Sequence, residues 1–224
     1  MKIYGENIMT IEGIRLKLIE FKRKSIANYR RKKINKSAFT IISNNCWGGE
    51  VYESYNLIKQ SPTVGLFFMA SDYIKFISNI KYYLAQSLVF IDPKQAKFFN
   101  DLKGTKNYGK YPVARLGDIE IYFMHYSSSI EAKEKWNRRV KRINWKHILY
   151  KFNDQNGCTE KDIMDFIELP LEHKICFTVN NDYAKMATYV LKIKSPAKHK
   201  FIRASYEPFG RSKYINVNNL INIL

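Results

Sequence analysis

At 224 residues, 46% of them hydrophobic, the chain is long and apolar enough to bury a substantial core, which excludes global disorder. Its 38 Lys and Arg against 20 Asp and Glu leave a net charge of +18, which favours anionic partners, although a Lys-, Asn- and Ile-rich composition of the AT-rich kind accounts for it equally well. Three scattered cysteines exclude a disulfide framework, the start lacks a signal-peptide pattern, no run is apolar enough to span a bilayer, and no finger, RNP pair or zipper points to nucleic acid, so a cytoplasmic protein is expected.

Residues 1–36 read as a basic N-terminal helical segment, and residues 37–224 as a single α/β domain. From Thr10 to Asn35 the chain lacks proline and carries an apolar stripe of Ile11, Ile14, Leu18, Ile19 and Phe21. Between Arg15 and Lys36 the only acid is Glu20. Such a helix either rests at the inner face of an anionic membrane or docks on the domain and keeps a solvated basic face.

Phe39 to Ser43 is a β-branched run that reads as the first buried strand. It leads into a turn, Asn44-Asn45-Cys46-Trp47-Gly48-Gly49, with a helix expected to begin near Glu50 and to run to Lys59. Ser61-Pro62 ends it, because the residue before proline avoids the α region. Thr63 to Met69 reads as a second buried strand, and Ser71-Asp72 caps a helix over Tyr73 to Leu84. Asp92-Pro93 opens a short helix to Asn100, followed by a lysine- and glycine-rich loop.

Pro112 to Leu116 and Ile119 to Tyr126, joined by Gly117-Asp118, form a predicted β-hairpin. A serine-capped helix is expected over Ile130 to Ile143, a strand over Trp145 to Phe152, and a capping-box helix after Thr159. Lys174 to Val179 reads as a strand, Ala187 to Ile193 is ambiguous between helix and strand, and a short helix follows Asn218. Strands that alternate with helices give an α/β fold with a mainly parallel, mixed sheet, flanking helices and an antiparallel hairpin.

Strand, glycine turn, helix is the arrangement that presents backbone N–H groups to an anion. Asn44, Asn45, Trp47, Gly48 and Gly49 are therefore candidate phosphate ligands, with Cys46 as a thiol that a helix N-terminus could activate. A tight connection with an inert, buried cysteine is the structural alternative. The spacing is that of neither a dinucleotide fingerprint nor a P-loop, and no cofactor is expected. His125, at the end of the hairpin, and Asp118, in its turn, are candidate bases; His125 could equally satisfy backbone groups. Arg138 and Arg139 lie in a basic helical cluster, and Arg211 in the segment Tyr206-Glu207-Pro208-Phe209-Gly210-Arg211, where Glu207 and Arg211 either face a crevice or pair with each other. The Asn153–Gly157 loop could hold sugar hydroxyls or a divalent ion, or be a plain turn. No histidine pair has metal-ligand spacing, so no metal is expected.

The segments ISNNCWGGEVYESYNL, SPTVGLFF, DYIKFISNIKYYL and YPVARLGDIEIYFMHYSSSIEAKEKWNRRVKRINW, within about Ser37 to Asn216, together resemble a bacterial domain-of-unknown-function family whose members are often labelled exopolysaccharide biosynthesis proteins. The resemblance carries no catalytic residues. It implies capsule or surface-polysaccharide assembly, with a nucleotide-sugar, lipid-diphosphate or acyl donor. The expectation is a transferase that moves a sugar or substituent from a phosphate-bearing donor to a glycan intermediate. The alternatives are a Cys46/His125 acyltransferase or esterase acting on glycans, and a non-catalytic accessory protein that binds a glycan or a membrane enzyme. Oligomeric state is not readable from the sequence.

Overall fold

The computed structural model of the chain describes residues 11–105, 107–195 and 199–224. Thr10, the expected start of the first helix, lies outside them.

Four short strands form a parallel sheet in the order β1 (Thr40–Ser43), β5 (Ile148–Asn153), β6 (Lys174–Thr178) and β7 (Val190–Lys192). In register, Thr40 faces Ile148, Tyr150 faces Lys174 and Cys176 faces Val190. Because every parallel strand needs a crossover, both faces of this sheet are covered and its strands are buried at most positions. Ile42 and Phe152 join a large core cluster on one face, while Ile41 and Leu149 join a second cluster on the other. The predicted hairpin is β3 (Val113–Leu116) and β4 (Ile119–Tyr122), which turns through Gly117 at φ 62°. It does not extend the parallel sheet. With β2 (Leu88–Ile91), a strand the sequence reading missed, it makes a separate three-stranded antiparallel sheet in the order β2-β3-β4.

Thr63 to Met69, expected as a strand, is instead the connector between the two sheets. Pro62 has no N–H, and Gly65 turns the chain at φ 80°, which leaves too short an extended run for a ladder. Phe67 exchanges backbone hydrogen bonds of 2.9 and 3.0 Å with Tyr122 of β4, and the next amide, Phe68, donates to Asn44 O at 3.1 Å at the end of β1. The segment is buried because it is clamped between sheets, a cause that periodicity does not distinguish from strand pairing.

The helices are α1 (Ile11–Ser25), α2 (Ala27–Arg31), α3 (Trp47–Ser54), α4 (Ala70–Ser78), α5 (Ile80–Ala85), α6 (Phe99–Leu102), α7 (Ser129–Val140), α8 (Glu160–Glu168) and α9 (Val217–Asn222). Two expected long helices are broken, at Ile26 (φ −115°, ψ 23°) and at Asn79 (φ −142°, ψ 57°). The Asp92-Pro93 helix is a single 3-10 turn, Pro93–Gln95, ahead of α6. Caps behave as the sequence requires. Ser128 accepts from Glu131 N in α7, and Thr159 and Asp162 form both bonds of a capping box in α8.

Helix α3 starts three residues before the expected Glu50, with both glycines inside it. The reason is packing. A Cβ on Gly48 would lie 3.1 Å from Ile41 Cγ2, and one on Gly49 would lie 2.9 Å from Val64 Cγ1, so only hydrogen lets α3 press against β1 and the connector.

Helices α1 and α2 dock on α3. Arg30 Nη1 donates to Arg23 O at 2.7 Å and Ser54 O at 3.2 Å, and its Nη2 donates to Lys22 O at 3.0 Å. One buried guanidinium thus caps the carboxyl ends of both α1 and α3. Arg23 adds ion pairs to Glu50 at 3.1 Å and Glu53 at 3.9 Å.

Candidate functional site

In open parallel sheets the carboxyl ends of the strands are where ligands sit. Here those ends carry Asn44 and Asn45 after β1, Lys151, Asn153 and Asp154 at the end of β5, and Thr178 at the end of β6. All but Asp154, which is half-buried, are buried. They are not an open crevice, because the chain from Ile202 to Pro208 folds back over them.

Glu207 is the centre of that closure. Its carboxylate lies 2.7 Å from Lys151 Nζ, with both side chains fully buried. It also accepts from Asn153 Nδ2 at 2.8 Å and from Asn45 Nδ2 at 3.4 Å. Lys151 in turn donates to Asn45 Oδ1 at 2.9 Å and sits over the rings of Trp47 and Phe177. Burial drives the Lys151 pKa down and the Glu207 pKa up, and the contact between them opposes both shifts. The cover is tied at three further points: Asp154 Oδ1 accepts from Ile202 N at 2.8 Å, Asn153 Nδ2 donates to Ile202 O at 2.8 Å, and Trp47 Nε1 donates to Pro208 O at 2.7 Å.

The turn that the sequence marks as a phosphate cradle is part of this interior. Asn44 N donates to Lys151 O at 3.3 Å, Asn45 N to Ser43 Oγ at 3.4 Å and Trp47 N to Asn45 Oδ1 at 3.1 Å. Asn44 Nδ2 donates to Asn153 Oδ1 at 2.8 Å. These amides are held by the protein's own atoms, and Gly48 and Gly49 serve helix packing. Two buried oxygens, Asn44 Oδ1 and Glu50 Oε2, have no hydrogen-bond partner among the described residues.

Burial pushes the Cys46 thiol up to about 12, with the Glu50 carboxylate adding to it. That is the opposite of an activated nucleophile. His125 is held below its usual pKa by burial and by Lys59, and no hydrogen bond joins it to Cys46. Glu50 is raised to about 7 by burial, opposed by Arg23 and reinforced by Glu207. Asp118 lies apart from all of these at the hairpin tip, accepting from Lys75 Nζ at 2.7 Å and Tyr83 Oη at 2.8 Å. Those two bonds hold its carboxyl below the usual range. Arg139 is buried and donates to Val64 O at 3.0 Å and to Tyr126 Oη, a structural role, while Arg138 is exposed on α7. No hydrogen bond or ion pair among the described residues links His125, Asp118, Cys46 and Arg138 to one another.

The open feature is a groove of about 810 Å³ on the outer side of the cover. Arg15, Lys22, Arg30 and Lys33 line it from α1, α2 and the turn that follows, and Lys194, Arg211 and Lys213 line it from the C-terminal side. Among the described residues Glu207 is the sole acidic one in the lining, and its carboxylate is turned inward to Lys151. Phe209 forms part of the wall, with the Arg30 guanidinium 5.0 Å from its ring centroid and that of Arg23 at 5.7 Å. Tyr29, Tyr206 and Tyr214 add aromatic faces and hydroxyls. Glu12 accepts from Tyr206 Oη at 3.0 Å and His199 Nε2 at 2.9 Å, which fixes the start of α1 against the cover. Arg211 and Glu207 thus do not pair with each other: one lines the groove and the other anchors its floor.

Of the residues singled out in the sequence, Arg211 alone lines this groove with an open cation. Lys151 was missed, although a lysine inside the apolar run Ile148 to Phe152 is itself a signal that the strand buries a charge. The groove cations were missed because they come from chain segments almost two hundred residues apart. No group of three or more His, Cys, Asp or Glu side chains suited to a metal occurs among the described residues. No helix among them is long and apolar enough to cross a membrane.

Residues 18–224 match the family model described as "Domain of unknown function (DUF1919)". An uncharacterized protein of Haemophilus influenzae is 33% identical over 162 residues, which cover 72% of this chain and 72% of that protein.

Proposed function

The chain belongs to the DUF1919 family, and we propose that its basic groove binds the phosphate groups of a nucleotide-sugar or lipid-diphosphate donor in bacterial surface-polysaccharide assembly. One observation carries the reading: seven Lys and Arg residues line one groove, Arg30 with its guanidinium bonded to backbone carbonyls, and among the described residues the one carboxylate of the lining is already committed to a buried lysine. A ligand there meets net positive charge from the described lining, in a volume within the usual small-molecule range of roughly 300–1,000 Å³. The tyrosines and Phe209 supply flat faces for a base or a sugar ring.

Transfer chemistry additionally needs a base for the acceptor hydroxyl. His125 and Asp118 lie outside the lining, and Glu207 is spoken for. This favours, as a second reading, an accessory protein that holds a phosphate-bearing glycan intermediate without converting it. The acyl-transfer alternative has the least support, since burial holds Cys46 as a thiol and no hydrogen bond joins it to His125.

The test is calorimetric titration and thermal shift of the pure protein with UDP- and GDP-sugars, a short-chain polyprenyl diphosphate and inorganic pyrophosphate. A ligand at about one hundred times its Kd should add about 2.7 kcal/mol, which is roughly 5–10 °C for a chain of this size. Removing Arg211 and Lys213 together should weaken binding at least about tenfold, since each charge-assisted hydrogen bond is worth about 1.5–3 kcal/mol. Absence of binding by every one of these phosphates refutes the proposal. Turnover of a bound donor in the presence of glycan acceptors separates the transferase from the accessory reading.

A further inference from the structure

Helix α1 presents an amphipathic pattern in an unusual sense: its apolar stripe faces away from the protein. Ile11, Ile14, Leu18 and Phe21 recur at intervals of three, four and three residues, so at about 100° per residue they fall within a stripe roughly 80° wide. Their exposures are 88%, 43%, 63% and 71%. The helix docks through its other side, where Arg23 is buried against Glu50 and Glu12 is held by Tyr206. Arg15 and Lys22 flank the stripe along one edge, and Lys17 and Lys24 along the other. The one exposed acid of the helix, Glu20, lies on the far side from the stripe and is paired to Lys24 at 2.7 Å.

We infer that α1 is an interfacial anchor that lays its apolar stripe into the headgroup region of an anionic bilayer. Exposed leucine, isoleucine and phenylalanine in a row between two basic rows is the arrangement that gains both from apolar burial and from anionic lipid. The charge distribution selects the occupant. In a symmetric contact between two copies the stripes would meet, but basic row would also face basic row whichever way the two helices run. An anionic lipid surface instead supplies a counter-charge to both rows at once.

The placement has a consequence for the groove. Arg15 and Lys22 edge the stripe and also line the groove wall. A helix lying on the bilayer therefore sets the groove mouth at the headgroup level, within reach of a diphosphate carried on a lipid. The anchoring itself does not depend on what the groove binds.

The experiment is sedimentation of the full chain with phosphatidylglycerol vesicles and with phosphatidylcholine vesicles, at about 0.05 M and about 0.5 M salt. The expected result is binding to the anionic vesicles that falls at high salt and is absent with the zwitterionic ones. Leu18→Asp/Phe21→Asp and Lys17→Glu should each reduce it at least about tenfold, with thermal unfolding unchanged because all three side chains are exposed. Arg211→Ala/Lys213→Ala should weaken vesicle binding clearly less than the stripe variant does. Three results overturn the inference: no sedimentation with anionic vesicles at low salt; a loss in the Arg211/Lys213 variant as large as in the stripe variant, which would place the lipid in the groove instead; or a concentration-dependent dimer in light scattering that Leu18→Asp/Phe21→Asp abolishes, which would make a second copy the occupant.

Discussion

Replacing Glu207 by leucine would leave the Lys151 ammonium buried with no counter-charge. In the native chain that ammonium has two hydrogen-bond acceptors, Glu207 at 2.7 Å and Asn45 Oδ1 at 2.9 Å, and neither side chain of the pair reaches solvent. Removing one partner of a buried ion pair typically costs about 3–5 kcal/mol, because the remaining charge keeps its desolvation penalty and loses its compensation. The Asn45 amide that also served the carboxylate is left unpaired, at about 1 kcal/mol more, while Asn153 keeps its bond to Ile202 O. For a chain of this size, about 4 kcal/mol lowers Tm by roughly 8–16 °C. Lys151→Met alone should be comparably damaging, since it leaves the Glu207 carboxylate buried. Lys151→Met/Glu207→Leu removes both charges and should recover most of the loss, to within about 2 kcal/mol of the native chain. The assay is urea unfolding of the four proteins as a double-mutant cycle. A coupling energy below about 1 kcal/mol, with the double variant as unstable as the sum of the singles, would refute the claim that this pair closes the strand ends.

Three further outcomes follow from the same geometry. Because burial raises Glu50 from 4.5 to about 7, its protonated form is favoured in the fold; its contribution to stability is fully present below about pH 4.5 and is lost as pH rises through about 7. Glu50→Gln should therefore flatten the fall in unfolding free energy between pH 5 and pH 8, by up to about 3 kcal/mol, and identical pH profiles of variant and native chain would contradict the assignment. Gly49→Ala places a methyl group 2.9 Å from Val64 Cγ1, whose β-branched side chain has little room to turn; despite the helix-propensity gain it should destabilise by about 1–2 kcal/mol in thermal unfolding, whereas Gly104→Ala, with open space around it, should stay within about 0.5 kcal/mol. Iodoacetamide at pH 8 should label Cys46 roughly two orders of magnitude more slowly than an exposed thiol, read by mass spectrometry of its peptide; labelling at the exposed-thiol rate would revive the nucleophile reading.

Local chemistry was legible wherever its cause is local. The capping box at Thr159, the Ser128 cap and the glycine turn of the hairpin are each set by residues within a few positions of one another, and each was read in place. Buried strands such as Thr40–Ser43 announce themselves by composition because both sheet faces are covered. The connector from Thr63 to Met69 defeated the same logic, since apolar composition reports burial and not pairing. The paired glycines at 48 and 49 were misleading for a related reason. A missing Cβ admits close approach by anything, and here it is Ile41 and Val64 that approach rather than a ligand.

What the sequence by itself determined is the α/β class, most element positions, and a surplus of positive charge with an amphipathic first helix, because propensity, capping and net charge are sums over neighbours. Where that charge is concentrated was decided only in three dimensions. Arg15, Lys33 and Arg211 become one groove when the C-terminal segment crosses the strand ends and α1 docks beside it, and the stripe from Ile11 to Phe21 becomes a surface only because Arg23 and Glu12 turn the helix's other side inward. Those contacts join residues from about thirty to nearly two hundred positions apart, beyond the few neighbours over which propensity and capping act.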